Sequence, residues 1–323
     1  MDQQPQKTLG AFLGVYTPTI LTILGVIMYL RFGWVVGSLG LRDTLLVVIA
    51  ANGITLITTL SFSSMATNMR VGVGGAYFII SRSLGLGIGA AIGIPLFLSQ
   101  AISVTLYSYG LAESLTIVWP DLPPAPVSVA IIVVVTAVSI YGAGFALKTQ
   151  IPLLALVALS IVALAVGALF LTDPGDVLQY HSFDRINFWE GFAVFFPAVT
   201  GVMAGLSLSG DLKNPSRSIP IGAIGATLTG FAIYLIIPVL LSRGASVYEL
   251  QHNSLVWLEI APLGLFLVLP GLWGAILSSA VGSALGAPRT LQAVSRDQLA
   301  NQRVREFVAS EKGVRIALGI TAV

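Results

Sequence analysis

The sequence predicts an all-α integral membrane protein, and three observations carry that reading. The 323 residues are 56% hydrophobic and only 9% charged, where soluble domains carry about 25% charged residues. Mean hydropathy is +0.92. The apolar residues fall in eight long runs, and a membrane helix needs ~20 such residues. Two of the runs also carry helix breakers at matching places.

The runs lie roughly at 9–39, 43–63, 87–118, 126–143, 150–172, 190–210, 218–242 and 262–287, and are numbered here as spans 1 to 8. Met1 to Lys7 is polar, and no small-residue cleavage site follows the first run. That run is therefore expected to remain as a span rather than a leader. Between spans 2 and 3, "MATNMRVGVGGAYFIISRSLG" (65–85) is less apolar and glycine-rich, so it reads as an inner turn followed by a short helix. After span 8, "PRTLQAVSRDQLANQRVREFVASEKG" (288–313) mixes charge signs at helical spacing. It reads as an inner-surface helix, though for both this stretch and 65–85 a plain solvated connector is the favoured alternative. The last 11 residues, "GVRIALGITAV", are too short to cross. They read as the start of a ninth span, so the chain is expected to be a fragment: one transmembrane domain, 1–323, with a first repeat over 9–172 and an incomplete second over 190–323.

Lysine and arginine set the expected orientation. With the N-terminus in the cytoplasm, inner connections hold twelve of the sixteen basic residues. Outer connections hold Arg42, Arg185 and Arg243, and Arg31 lies within span 1.

Several functions are excluded or disfavoured by what the chain lacks. It has no cysteine, hence no disulfide or thiolate metal site. Its two histidines, His181 and His252, fall in predicted loops. No span holds a cluster of histidines and carboxylates, so neither catalysis nor a metal centre or cofactor is expected.

The matched breakers are in spans 1 and 6. "PTILTILGVIMYLR" (18–31) carries Pro18, Thr22, Gly25 and Val26, and "AVFFPAVTGVMAG" (193–205) carries Pro197, Thr200, Gly201 and Val202. Five spans separate them, so the two copies run in opposite directions, the pattern of an inverted repeat. Breaking a helix frees N–H and C=O groups, each costing several kcal/mol in lipid. Where the break lines a cavity, freed carbonyls can hold cations, and the N–H groups opening the next half-helix can attract anions. The alternative is that proline and glycine merely allow kinks and close packing.

Arg31 and Glu113 fall at similar depth in spans 1 and 3. Charges in a membrane face protein or water and find partners, so the two are read as an ion-pair gate, with a structural bridge as the alternative. In span 8, Ala275, Ser278 and Ser279 stand at i, i+3 and i+4 on one face. That face can supply oxygens to a cation, or it can simply pack tightly. Tyr107 lies in span 3, away from the "WPDLPP" loop, where its hydroxyl can cap a cation site.

In these signatures the chain resembles the cation–chloride cotransporters of the amino acid–polyamine–organocation superfamily, which have a LeuT-like fold. They are "GVIMYLRFGWVVGSLG" (25–40), "GGAYFIISRSLG" (74–85), "FFPAVTGVMAGLSLSGDLKNPSRSIP" (195–220) and "LSSAVGSALGAP" (277–288), in family order. The resemblance implies a sodium site at the carbonyls of Leu21 and Leu24 with Ala275, Ser278 and Ser279. It implies a potassium site at Thr22, Ile23, Tyr107, Pro197 and Thr200. Chloride would sit on the N–H groups of Gly25, Val26 and Ile27, and a second chloride near Gly201, Val202 and Met203. Both serines present implies a sodium-dependent member, and tyrosine at 107 implies potassium. Thr22 and Leu24 depart from the Asn and Trp common in animal members. The missing long termini and the short outer loop suggest a prokaryotic protein of the plasma membrane. The expected partners are inorganic ions and the bilayer, with no nucleic acid; a homodimer is one assembly open to it. The competing readings are an amino acid or polyamine permease of the same superfamily and a non-transporting membrane scaffold.

Overall fold

The computed structural model describes residues 9–69, 71–116, 118–140, 143–172 and 185–299. Among them the chain is helical, with a single isolated bridge joining Leu9 to Leu212.

Seven helices are long and apolar enough to span a membrane: Phe12–Leu30, Leu41–Asn68, Leu86–Leu115, Ala146–Leu171, Phe188–Asp211, Pro215–Gly244 and Gly264–Asp297. These are spans 1, 2, 3, 5, 6, 7 and 8. Span 4 is the shorter apolar helix Pro124–Ile140, 17 residues, or about 25 Å at 1.5 Å per residue. Phe32–Leu39 continues span 1 to the expected end. The glycine-rich stretch after span 2 forms the short helix Gly75–Leu84, as its composition predicts.

Residues 288–299 are helical, but they continue span 8 past its expected end at residue 287. Gly264–Val294 is one helix running through Pro270 and Pro288, extended by a π-helical turn at Ser295–Leu299. Pro288 is fully surrounded by protein, where neighbouring groups can satisfy the backbone it frees. Residues 300–323, with the expected ninth span, lie outside the described residues, as do Arg70 and His181.

Span 8 packs along spans 3 and 5, and span 7 packs along span 2. Span 1 touches both groups, meeting span 7 on one side and span 8 on the other. Side-chain bonds fix it there. The Tyr29 hydroxyl pairs with Ser160 of span 5 at 2.6 Å. Phe32, Phe195 and Tyr234 form one ring cluster with centroids 4.9–5.4 Å apart, binding the upper halves of spans 1 and 6 to span 7. Such pairs add about 0.5–1.5 kcal/mol each beyond burial.

Candidate functional site

Span 1 breaks at Leu24–Gly25. Helix Thr17–Ile23 ends at Leu24, with ψ 41°; Gly25 is extended, with ψ −160°; a new helix starts at Val26. A Cβ on Gly25 would sit 2.8 Å from the Thr22 carbonyl oxygen, so only glycine fits. Span 6 breaks across Phe196–Gly201: a 3₁₀ turn, Phe196–Val199, separates Phe188–Phe195 from Val202–Leu206. The breaks face each other. A Cβ on Gly201 would lie 2.8 Å from the Ile23 nitrogen and 3.0 Å from Thr22 Cβ.

The two breaks also share a local device. Thr22 donates its hydroxyl to the Pro18 carbonyl at 2.8 Å, and Thr200 donates to the Pro197 carbonyl at 2.8 Å. In each, the threonine beside the break donates back to a proline carbonyl three or four residues earlier and keeps its own oxygen lone pairs free.

The backbone groups released can be followed one by one. Leu24 N–H still reaches the Ile20 carbonyl at 2.8 Å, and Met28 N–H reaches Gly25 at 3.2 Å. The Ile23 carbonyl accepts from the Tyr234 hydroxyl at 2.6 Å. Among the described residues, no hydrogen bond uses the carbonyl of Leu24 or the N–H groups of Gly25 and Gly201. Val26 and Ile27, and Val202 and Met203, open the next half-helices, and the first N–H groups of a helix have no partner within it. The arrangement therefore presents carbonyls, which suit cations, beside two short runs of N–H groups, which suit anions.

The residues expected to bind fall into two environments. Ser278 and Ser279 are 1% and 2% exposed. Ser279 donates to the Ala275 carbonyl at 2.9 Å, and its Oγ is 3.8 Å from where a Gly25 Cβ would stand. The Ser278 hydroxyl is buried with no partner. Span 8 thus sets Ser279 against the span 1 break, while Ser278 lines a cavity between spans 4, 5 and 8. The second group opens onto space: a cavity of about 400 Å³ is lined by Thr22, Ile23, Tyr107, Pro197 and Thr200, together with Gly25, Val26 and Ile27. Arg31 and Glu113 line the same cavity. Both are exposed, and they form no ion pair with each other in this structure.

A second cavity, of about 220 Å³, shares Thr22, Ser103, Tyr107 and Thr200 with the first and reaches Gly201 and Met203. Its far end carries Gln100, whose amide donates to Ser207 at 3.1 Å and accepts from Thr290 at 3.2 Å. That amide ties spans 3, 6 and 8 together. Beyond it, Arg289 pairs with Asp211 at 2.7 Å, and Arg82 pairs with Asp297 at 2.6 Å. The Gln100 end is latched; among the described residues no comparable bond joins spans 1 and 3 at the Arg31 end.

Sequence reasoning overlooked Ser99, Gln100 and Ser103 on span 3 and Tyr234 on span 7. The span 3 residues did carry a signal: Ser99, Ser103, Tyr107, Gly110 and Glu113 recur at three- and four-residue steps, a polar stripe on one helix face. Tyr234 carried none, since one tyrosine in an apolar run is ordinary.

Comparison with known proteins places this geometry. A family profile described as "Amino acid permease" matches residues 14–312. The chain belongs to that family. Within it, the resemblance to cation–chloride cotransporters holds. Mouse "Solute carrier family 12 member 8" is 32% identical over 322 residues, covering 94% of this chain and 45% of the relative. "Solute carrier family 12 member 2" of Squalus acanthias is 30% identical over 359 residues, covering 92% of this chain and 30% of the relative. The chain therefore spans less than half the length of these relatives. Among solved structures, MhsT in complex with L-phenylalanine matches with a TM-score of 0.61 at 19% identity, over 96% of this chain and 77% of that one. The likeness shows a LeuT-like transporter fold.

Proposed function

We propose that the protein is a secondary active symporter that moves chloride with sodium and potassium by alternating access. One observation carries the reading: two facing helix breaks set the helix-opening residues Gly25 to Ile27 and the threonines Thr22 and Thr200 around a shared cavity, with hydroxyls from spans 3 and 8 close by. Sodium belongs with Leu21, Leu24, Ala275, Ser278 and Ser279, all of them buried. Potassium belongs with Thr22, Ile23, Tyr107, Pro197 and Thr200. Chloride belongs on the N–H groups of Gly25 to Ile27 and of Gly201 to Met203. Arg31 and Glu113 close over the cavity by pairing when the Arg31 end narrows. The N-terminus is cytoplasmic in this reading, which makes the Arg31 end the outer one and the conformation described here open outward. The setting is a prokaryotic plasma membrane.

A second reading is favoured by the cavity itself. At about 400 Å³ it falls in the range of small-molecule sites, and an amino acid carboxylate suits the same N–H groups. One experiment separates the two. Purified protein in liposomes is given radiolabelled rubidium, chloride or amino acids, with sodium present or absent. Rubidium and chloride uptake that each require the other ion and sodium support the symporter. Sodium-driven amino acid uptake replaces it with the permease, and no flux of either kind leaves a scaffold.

A further inference from the structure

Behind the serine face of span 8 lies a third cavity, of about 230 Å³, between spans 4, 5 and 8. Its walls are mostly apolar, with Val134, Val138 and Val281 among them, but Thr149, Gln150 and Ser278 also line it. Thr149 is satisfied, donating to the Ala146 carbonyl at 2.7 Å. Gln150 is not. It is 1% exposed, and neither its amide oxygen nor its amide nitrogen has a partner. Ser278, across the same cavity on span 8, is likewise buried and unpartnered.

Two orphaned polar side chains on one small apolar cavity need a reason. An apolar cavity of this size stays dry without polar partners. A buried amide left without partners is costly, whereas an apolar side chain of the same shape would cost nothing of the kind. A glutamine serving only to join helices would be bonded to one of them. The chemistry present is an amide dipole facing a hydroxyl, which suits a small cation that keeps part of its water shell: the amide oxygen reaches the ion and the amide N–H₂ is left for other polar contacts.

We propose that this cavity is a second station for sodium, in which Gln150 and Ser278 hold the partly hydrated ion next to the cage between spans 1 and 8. Ser278 lines this cavity and its neighbour Ser279 faces the span 1 break, so the two stations would lie one residue apart on span 8. This rests on the sodium reading above, and the test separates the two.

Wild-type protein and the Gln150→Leu, Gln150→Glu and Ser279→Gly variants are melted in sodium chloride and in choline chloride, and rubidium uptake is titrated with sodium. Gln150→Leu keeps the bulk and removes both orphaned atoms. It should melt at or above wild type in choline, lose at least half of the sodium-dependent rise in melting temperature, and need about tenfold more sodium for half-maximal uptake. Gln150→Glu should shift that titration the opposite way, an inversion that a merely structural role does not give. An unchanged sodium titration in Gln150→Leu, beside a shifted one in Ser279→Gly, overturns the station and leaves the cage standing. A Gln150→Leu protein that does not fold also overturns it, because the amide then has a structural partner. If wild type and Ser279→Gly are both indifferent to sodium, the cage itself falls and the station with it.

Discussion

The two groups of oxygens around the span 1 break draw on four consecutive residues, Leu21 to Leu24, yet they sit in different surroundings. The group toward span 8 is closed: Ala275, Ser278 and Ser279 are buried, and an ion there would be stripped of most water. The group toward spans 3 and 6 opens onto two cavities through Thr22, Tyr107 and Thr200. Dehydration favours the ion whose ligands best replace its shell, so under the proposed function the closed group would select by fit and the open group by access. The contrast teaches that one main-chain break can serve two ions when different neighbours set the water content on each side.

The largest effect should come from abolishing the contrast altogether. Gly201→Val places side-chain atoms against the Ile23 nitrogen and the Thr22 side chain, forcing the breaks apart. Displacements of about 1 Å can cost about a hundredfold, so uptake of rubidium, chloride and sodium should fall together by that order. A loss confined to one ion would show that the breaks are not a common frame.

Ser279→Gly should act on the closed group alone. A lost ligand to a charged group costs about 1.5–3 kcal/mol, or roughly ten- to a hundredfold in apparent affinity. The sodium titration of rubidium uptake should move by that much while chloride dependence holds. An unshifted titration would mean that span 8 merely packs there.

Tyr107→Phe should do the reverse. It removes one neutral hydroxyl from the open group, so half-saturating rubidium should rise about threefold to tenfold and sodium dependence should change less. Equal shifts for both cations would erase the distinction between the groups.

The smallest effect belongs to Tyr234→Phe. It frees the Ile23 carbonyl from its 2.6 Å bond without touching either cavity wall. About 1 kcal/mol of stability should be lost, a few degrees in melting temperature for a chain of this size, with ion affinities within about threefold. A large affinity change would promote Tyr234 from holding the break in place to shaping the potassium group.

Much of this was legible before any coordinates. Long apolar runs marked the spans because lipid leaves so little choice of residue. The breaks were legible because proline and glycine have few other uses at midspan when paired across an odd number of helices. What stayed hidden depended on neighbours. Pro288 looked like a helix end, but the protein packed around it lets span 8 continue. Arg31 and Glu113 were placed at one depth by counting residues, yet lateral distance across a cavity cannot be counted along a chain. The orphaned amide of Gln150 was invisible, since nothing in "LKTQIPLL" says which wall it will meet.

The break of span 1 is made of main-chain atoms, and main-chain atoms carry no residue identity. A Leu, Trp or Thr at position 22 or 24 offers the same carbonyl. If the proposed sites hold, single substitutions on spans 3, 5, 6 and 8 would change which ion is carried while the unwound helix itself stays as it is. Those few positions would then be the place to rewrite cargo without rebuilding the carrier.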